Sequence, residues 1–403
     1  MKALRHGGWL LLLVCARAMA LDYQVHGYAA QGFVWTSDDN HVFGDSSDGT
    51  DGSLKYHEAG VNGTVALLPS LIVSAQLATR SAGVTDTDSA RLDYALADYR
   101  FLAGTDANAG IRVGKVKNPL GLYNDTRDVI FTRPGILMPS VYGDQENQRD
   151  LTFAAQGLQF YGELVRGAHQ LSLTATASND RSLSNAEKRL LISLNYIDGS
   201  PIPFNLDVVH SWNWQIADSI DEGRWRLAYS HFYGRFRLDA TWPVPPLPIN
   251  GRFDASLDVL SVQYNAERFS LTAEYAINPN KDFLTLGTLK VLDSYIAADT
   301  AYLQADVRLT PHWTLMTRLD GFFRDRNDRN GAAYAAASPG ADRASRFARD
   351  AVVGLNWRST EHWGVWGELH WVHGTATLQP LENVGVTEAD HWTLLMLMAA
   401  YRF

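Results

Sequence analysis

The last thirteen residues restrict the fold more than any other stretch of the chain. Counting back from the C-terminus, Phe403, Tyr401, Ala399, Leu397 and Leu395 share one face of an extended strand, and Arg402, Ala400, Met398 and Met396 share the other. His391 and Trp392 open this strand, while Tyr401 and Phe403 close it. Aromatic side chains therefore stand at both ends of an apolar band of about ten residues, which is what two water–hydrocarbon interfaces select. A buried edge strand of a soluble protein would alternate as well, but has no reason to carry rings at both ends.

The same pattern repeats upstream. Trp363, Val365, Gly367, Leu369 and Trp371 alternate with Trp366, Glu368 and His370. Leu303, Ala305, Val307 and Leu309 alternate with Gln304, Asp306 and Arg308, and Phe269, Leu271, Ala273 and Tyr275 alternate with Ser270, Thr272 and Glu274. Short connections such as Pro69-Ser70, Gly234-Arg235 and Thr310-Pro311-His312 alternate with long polar stretches at 37–52, 118–155, 278–298, 325–345 and 375–389. Short turns on one side and long loops on the other are the topology of a membrane barrel. Pairing the segments predicts an all-β chain, a single antiparallel transmembrane β-barrel of 18 strands. The strand count becomes 16 if the weak hairpin 188–216 is lost. The stretch 91–102 switches face midway, which predicts a bulge.

Residues 1–20 read as a secretory signal peptide, leaving 21–403 as the barrel. Lys2 and Arg5 precede the apolar run 9–16, and Ala18-Met19-Ala20 is a small-x-small cleavage site. Cleavage removes Cys15, the single cysteine, and takes the formal charge from −9 to −12. The mature chain then has no thiol chemistry, and its acidic balance gives no support for nucleic-acid binding. Scattered histidines indicate no metal site, and no cofactor is expected. Beyond the signal segment no apolar run approaches the ~20 residues of a spanning helix.

A sheet in lipid satisfies its backbone hydrogen bonds only by closing on itself. Its inward face is expected to carry Arg80, Arg112, Arg308, Arg318 and Arg358 against Glu274, Asp306, Asp320 and Glu368, with Glu58, Glu163, Arg226, Arg235, Arg237, Asp239, Arg324 and Arg402 in the same set. So many charges cannot be packed dry, since each buried ion costs several kcal/mol. A water-filled lumen removes that cost, although cross-strand ion pairing within the wall accounts for many single arginines equally well.

The third long loop, 118–155, is unusually apolar: Leu120, Leu122, Tyr123, Ile130, Phe131, Ile136, Leu137, Met138 and Val141 lie in it, stiffened by Pro119, Pro134 and Pro139. It is expected to fold into the barrel and narrow it, placing Lys117, Asp125, Arg127, Asp128 and Arg133 at a constriction. Packing on a neighbouring subunit or capping the rim is the alternative.

The terminal Tyr401 and Phe403, the strand–turn rhythm, the long third loop and the phrase 114–123, Gly-Lys-Val-Lys-Asn-Pro-Leu-Gly-Leu-Tyr, together resemble bacterial outer-membrane porins. The likeness covers nearly the whole mature chain in architecture and only 114–123 in motif. It implies an outer-membrane location in a Gram-negative bacterium, contact with outer-membrane lipid and lipopolysaccharide, and a homotrimer. It also implies recognition of Tyr401 and Phe403 as a C-terminal signal by the barrel-assembly machinery. The function it implies is passive diffusion of small hydrophilic or ionic solutes. Lysines are too scarce for a phosphate-type ladder, and Tyr302, Phe322 and Trp366 too scattered for a sugar slide. Two other readings compete: a barrel with a plugged lumen and a structural or surface-binding role, and a barrel hydrolase. For the hydrolase, His370 and Glu368 are the nearest groups, but His373 falls on the opposite strand face.

Overall fold

A computed structural model describes residues 22–43, 51–83, 86, 89–143, 152–178, 181–183, 204–243 and 245–403. The expected signal peptide, the strand expected near Lys188 and much of the end of the third loop lie outside the described residues.

The chain forms one antiparallel sheet: β1 (Asp22–Thr36), β2 (His57–Leu68), β3 (Leu71–Ser81), β4 (Arg91–Ala103), β5 (Ala107–Lys117), β6 (Ala154–Arg166), β7 (His169–Ser178), β8 (Arg181–Ser182), β9 (Phe204–Ile220), β10 (Trp225–Pro243), β11 (Pro246–Asn265), β12 (Phe269–Leu286), β13 (Leu289–Arg308), β14 (Trp313–Phe323), β15 (Phe347–Arg358), β16 (Trp363–His373) and β17 (His391–Arg402). Each strand pairs with its sequence neighbour, except that β7 and β8 both pair with β9, and β1 pairs with β17. The two-residue β8 only continues the edge of β7 along β9, so 16 of the 17 strands are full staves of a closed barrel.

The seam is tight where the chain ends meet. Gly27 N donates to Phe403 O at 3.2 Å, and Phe403 N donates to Gly27 O at 3.0 Å. A Cβ at position 27 would stand 2.5 Å from the Phe403 ring, so the closing aromatic occupies the space that a side chain there would need.

The 18-strand expectation is corrected to 16. Gly234-Arg235 is not a turn: β10 runs through it, paired with β11 from Trp225↔Tyr264 to Pro243↔Pro246. The segment expected as a separate strand from Arg235 is therefore the upper half of β10. At the other site of over-counting, β7 pairs directly with β9, leaving no place between them for a further full stave. The fallback hairpin 188–216 is likewise not the one lost, because its second half is part of β9. The polar stretch 278–298 is not a loop either: β12 and β13 stay paired up to Leu286↔Leu289. The bulge expected in 91–102 is present, with register shifts at Gln76/Leu77 on the β3 side and Arg100/Leu102 on the β5 side.

Outward side chains are apolar at the short-turn end and through the middle of the wall. Leu303, Leu319, Val353, Leu355, Val365 and Leu397 are all exposed. Rings cluster near the short turns: Trp225 with Tyr264 (centroids 4.6 Å), Trp313 with Trp357 (6.1 Å) and Trp363 with Tyr401 (4.9 Å). On β16 the next outward ring is Trp371. Those eight residues rise ~20 Å along a barrel axis at the usual tilt, close to the ~25 Å apolar band of such barrels. Arg235, Arg237 and Asp239, expected inside, point outward. The buried inward residues of β10 are the even-numbered Ala228, Ser230, Phe236 and Leu238.

Candidate functional site: the barrel interior and its inward loop

Segment 118–143 leaves β5 and crosses the interior. Its apolar side chains decide the direction. Ile130, Phe131, Ile136 and Leu137 are buried against inward-facing Val34 of β1, Trp366 of β16 and Met396 and Met398 of β17. Phe131 meets Trp366 edge to face at 5.0 Å. Leu120, Met138, Val141 and Tyr142 pack on Leu257, Val259, Ala276 and Tyr302 across the barrel. Each such side chain contributes roughly 1.5–3 kcal/mol by leaving water, so an exposed course for this segment would forfeit a large sum.

Wall carboxylates then take the backbone donors of the loop. Glu368 Oε1 accepts from Ile136 N at 2.5 Å and its Oε2 from Leu137 N at 3.3 Å. Asp320 accepts from Ser140 N at 2.9 Å. Glu274 accepts from Leu122 N (2.9 Å), Tyr142 Oη (2.6 Å), Tyr302 Oη (2.7 Å) and Ser261 Oγ (2.5 Å). Burial first, and the adjacent Glu274 second, hold the Tyr142 hydroxyl well above its ordinary pKa, so it stays a donor. Burial pushes Tyr123, whose hydroxyl receives Gln263 Nε2 at 2.8 Å, up to about 12. From the wall, Gln304 donates to Pro134 O at 2.9 Å and Arg358 to Phe131 O at 2.8 Å.

The five residues expected at a constriction divide into two groups. Arg127 is buried inside the loop, donating to Tyr142 O at 3.0 Å and Asn124 Oδ1 at 3.3 Å. Arg133 is buried and pairs with Glu58 of β2, which also faces Arg80 at 3.8 Å. Asp128 is buried between Gln76 Nε2 at 2.8 Å and Lys117 Nζ at 3.1 Å. Asp125 is exposed, and the Lys117 side chain is 23 % exposed.

The nine wall residues expected inside all lie on the inward face, and they divide too. Arg80, Glu274, Arg318, Asp320 and Glu368 are buried beneath the loop, whereas Arg112, Asp306, Arg308 and Arg358 reach solvent. None of the three guanidinium nitrogens of Arg318 has a hydrogen-bond partner among the described residues; the nearest carboxylate oxygen, of Asp320, is 3.9 Å away. A buried donor set of this kind is a place for ordered water. Arg112 pairs with Asp98 at 3.0 Å. By contrast, Arg226, Arg308, Arg358 and Arg402 donate to Gln263 Oε1, Ala266 O, Phe131 O and Glu361 O, with no ion pair among the described residues. Each sits near the short-turn end of its stave, and Arg402 also lies 4.5 Å over the Phe131 ring.

Asp350 and the loop-bracing Tyr142 and Asn124 were not singled out as working parts by the sequence, and His370 entered it only through the hydrolase reading. His370 Nδ1 lies 2.7 Å from Asp350 and Nε2 lies 3.3 Å from Glu368. Both ring nitrogens therefore face carboxylates, leaving none to activate a hydroxyl nucleophile. His373 is on the outward face, as the strand period requires.

No family model matches the chain, and no curated protein matches it. Solved structures do. An outer membrane channel, DcaP, of Acinetobacter baumannii is similar over 95% of this chain and 97% of its own, with a TM-score of 0.55 at 11% identity. Salmonella typhi OmpF, in complex with daunomycin, covers 94% and 97% with a TM-score of 0.55 at 12% identity. An anion-selective porin from Comamonas acidovorans covers 95% and 100% with a TM-score of 0.54 at 12% identity. At such identity the likeness establishes the shared barrel fold.

Proposed function

We propose that this protein is an outer-membrane porin giving passive diffusion of small hydrophilic or ionic solutes through a water-filled lumen. One observation carries the reading: a closed sheet whose outward band is apolar between rings of aromatics, while its inward face is charged and, at the short-turn end, open to water. A closed sheet leaves no edge amide in hydrocarbon, and the wet interior spares the inward charges their desolvation. The fold it shares with known porins supports the same reading. Outer-membrane lipid and lipopolysaccharide, the barrel-assembly machinery acting on Tyr401 and Phe403, small solutes and a homotrimeric assembly belong to this proposal. So does cleavage of residues 1–20.

The loop sets the bore. Arg133 and Asp128, braced on Glu58 and Gln76, fix its edge toward β2 and β3, and Lys117 and Asp125 are the members of the expected constriction set that meet solvent. Arg226, Arg308, Arg358 and Arg402 give the short-turn vestibule a positive lining, which favours anions. Conductance of the refolded protein in planar bilayers, with reversal potentials in a salt gradient, tests this. Open steps with a mild anion preference are expected, and Arg358→Ala with Arg402→Ala should move the reversal potential toward cations. Arg133→Ala should change conductance or selectivity; no change in either would remove the loop from the constriction.

A plugged barrel with a structural or surface-binding role is the second reading. It is favoured by the number of staves, from β2 round to β16, to which the loop is bonded. Absence of conductance from folded, heat-modifiable protein would select it. Among the described residues, both ring nitrogens of His370 face carboxylates rather than a hydroxyl, which does not favour the hydrolase reading.

A further inference from the structure

At the long-loop end of the wall, outside the lumen, stand three ligand-type side chains that a channel does not use. His373 ends β16, His391 opens β17, and the two are direct cross-strand partners. Gly374 N donates to Asp390 O at 2.6 Å, so the next pair along is the hydrogen-bonded one. That leaves His373 and His391 as a non-bonded pair, the kind whose side chains stand closest. Their rings are stacked with centroids 4.0 Å apart and planes within 14°. Phe347 braces the His373 ring edge-on at 5.0 Å. Asp390 adds a carboxylate, and one ligand atom from each of the three residues lies within 4.8 Å of the others. His373 is half-buried, and Asp390 and His391 are exposed, so an ion has an open approach.

Two imidazoles and one carboxylate make a borderline nitrogen–oxygen donor set, suited to Zn²⁺, Cu²⁺ or Ni²⁺ rather than Ca²⁺ or Mg²⁺. Ligand atoms ~2.0–2.2 Å from an ion stand roughly 3.2–3.6 Å apart, so the present spacing needs a small closure. Parallel rings cannot aim two lone pairs at one point; each must turn about Cβ–Cγ, which the exposed His391 has room to do. Arg349, opposite His373 on β15, opposes a cation, but its guanidinium lies over the Phe347 ring at 5.2 Å and near Phe323 at 5.9 Å. The Asp390 charge offsets it.

We propose that His373, Asp390 and His391 bind one divalent transition-metal ion, Zn²⁺ in the first instance, with water completing a tetrahedron. The ion would close the neck of segment 374–390. The inner half of that segment, Thr375 to Gln379, is buried. Its outer half is tied to the first long loop through Asn383 and His41 (2.8 Å) and through Asn40 and Ala389 (2.9 Å). Metal occupancy therefore fixes a loop that folds over the barrel mouth.

Tag-free, chelator-treated protein in detergent, titrated calorimetrically with Zn²⁺ at pH 7.5, should take up one equivalent. The affinity should fall at least about tenfold at pH 5.5, because protons compete for both imidazoles. His373→Ala with His391→Ala should weaken binding at least about 30-fold, and Asp390→Asn several-fold. Bound Cu²⁺ should show two-nitrogen hyperfine structure in its paramagnetic resonance spectrum, reduced to one nitrogen in His391→Gln. Unchanged affinity and stoichiometry in the double variant would overturn the site, as would wild-type binding no tighter than that variant's. Should the double variant fail to fold, retention of both nitrogens in His391→Gln would do the same.

Discussion

The staves β14 to β17 and the staves β10 to β13 are neighbours in one sheet, yet the first are 11 or 12 residues long and the second 18 to 20. The short staves alternate cleanly from end to end. The long ones alternate near the short turns, then carry charge outward in their upper halves, where Arg235 and Arg252 pair with Asp254 at 2.6 and 3.3 Å. The backbone ladder continues through the change without a break on the β10–β11 side. Apolar alternation therefore marks the depth of the apolar surroundings, while hydrogen bonding alone marks the strand. On the proposed membrane placement, a stave that rises past hydrocarbon frees its outward side chains from the requirement to be apolar, and the sequence pattern stops although the strand does not.

Substitutions on either side of that level should behave differently. The largest effect is expected for Glu274→Ala, at the depth of the loop on a long stave. It strands the donors of Leu122, Tyr142, Tyr302 and Ser261 and should cost about 3–5 kcal/mol. Denaturant unfolding in vesicles measures this, and faster proteolysis within 118–143 should accompany it. Next comes Leu319→Arg, in the middle of the short stave β14, expected to destabilise by ~2–4 kcal/mol. The control is Val291→Arg, exposed high on β13 at its register shift, expected within ~0.5 kcal/mol of wild type. Equal costs for the two arginines would remove the distinction between the levels. A small effect is also expected for Asp254→Asn, which breaks a partly exposed pair on the upper ribbon and should cost under ~1 kcal/mol, less still in high salt.

Much of the wall was legible residue by residue. On the short staves the period-2 pattern put Arg318, Asp320, Arg358, Glu368 and Arg402 on the face that the structure turns inward, because the apolar outside and the polar inside of the barrel impose opposite demands on successive residues. It failed at Arg235, Arg237 and Asp239 because all faces of the upper ribbon meet polar surroundings, and a glycine before an arginine then looks like a turn. The apolar content of 118–143 was readable as a segment that must bury itself. Its landing place had a signal that went unused: Met396, Met398 and Ala400 make the inward face of β17 apolar as well, and an apolar patch inside a wet barrel needs a cover. Nothing local could have shown that Arg127 donates back into its own loop, or that Asp128 reaches Gln76 on β3.

By itself the sequence determined the alternation of apolar and polar faces, the closed sheet that such alternation calls for, and the existence of a segment too apolar to stay outside. These depend on composition and period, which are local quantities. The tertiary structure decided which carboxylates hold that segment, which arginines stay without an ion pair among the described residues, and which histidines meet across β16 and β17. Those pairings join residues up to hundreds of positions apart, and their register is set by the closed hydrogen-bond ladder rather than by any preference of the residues themselves.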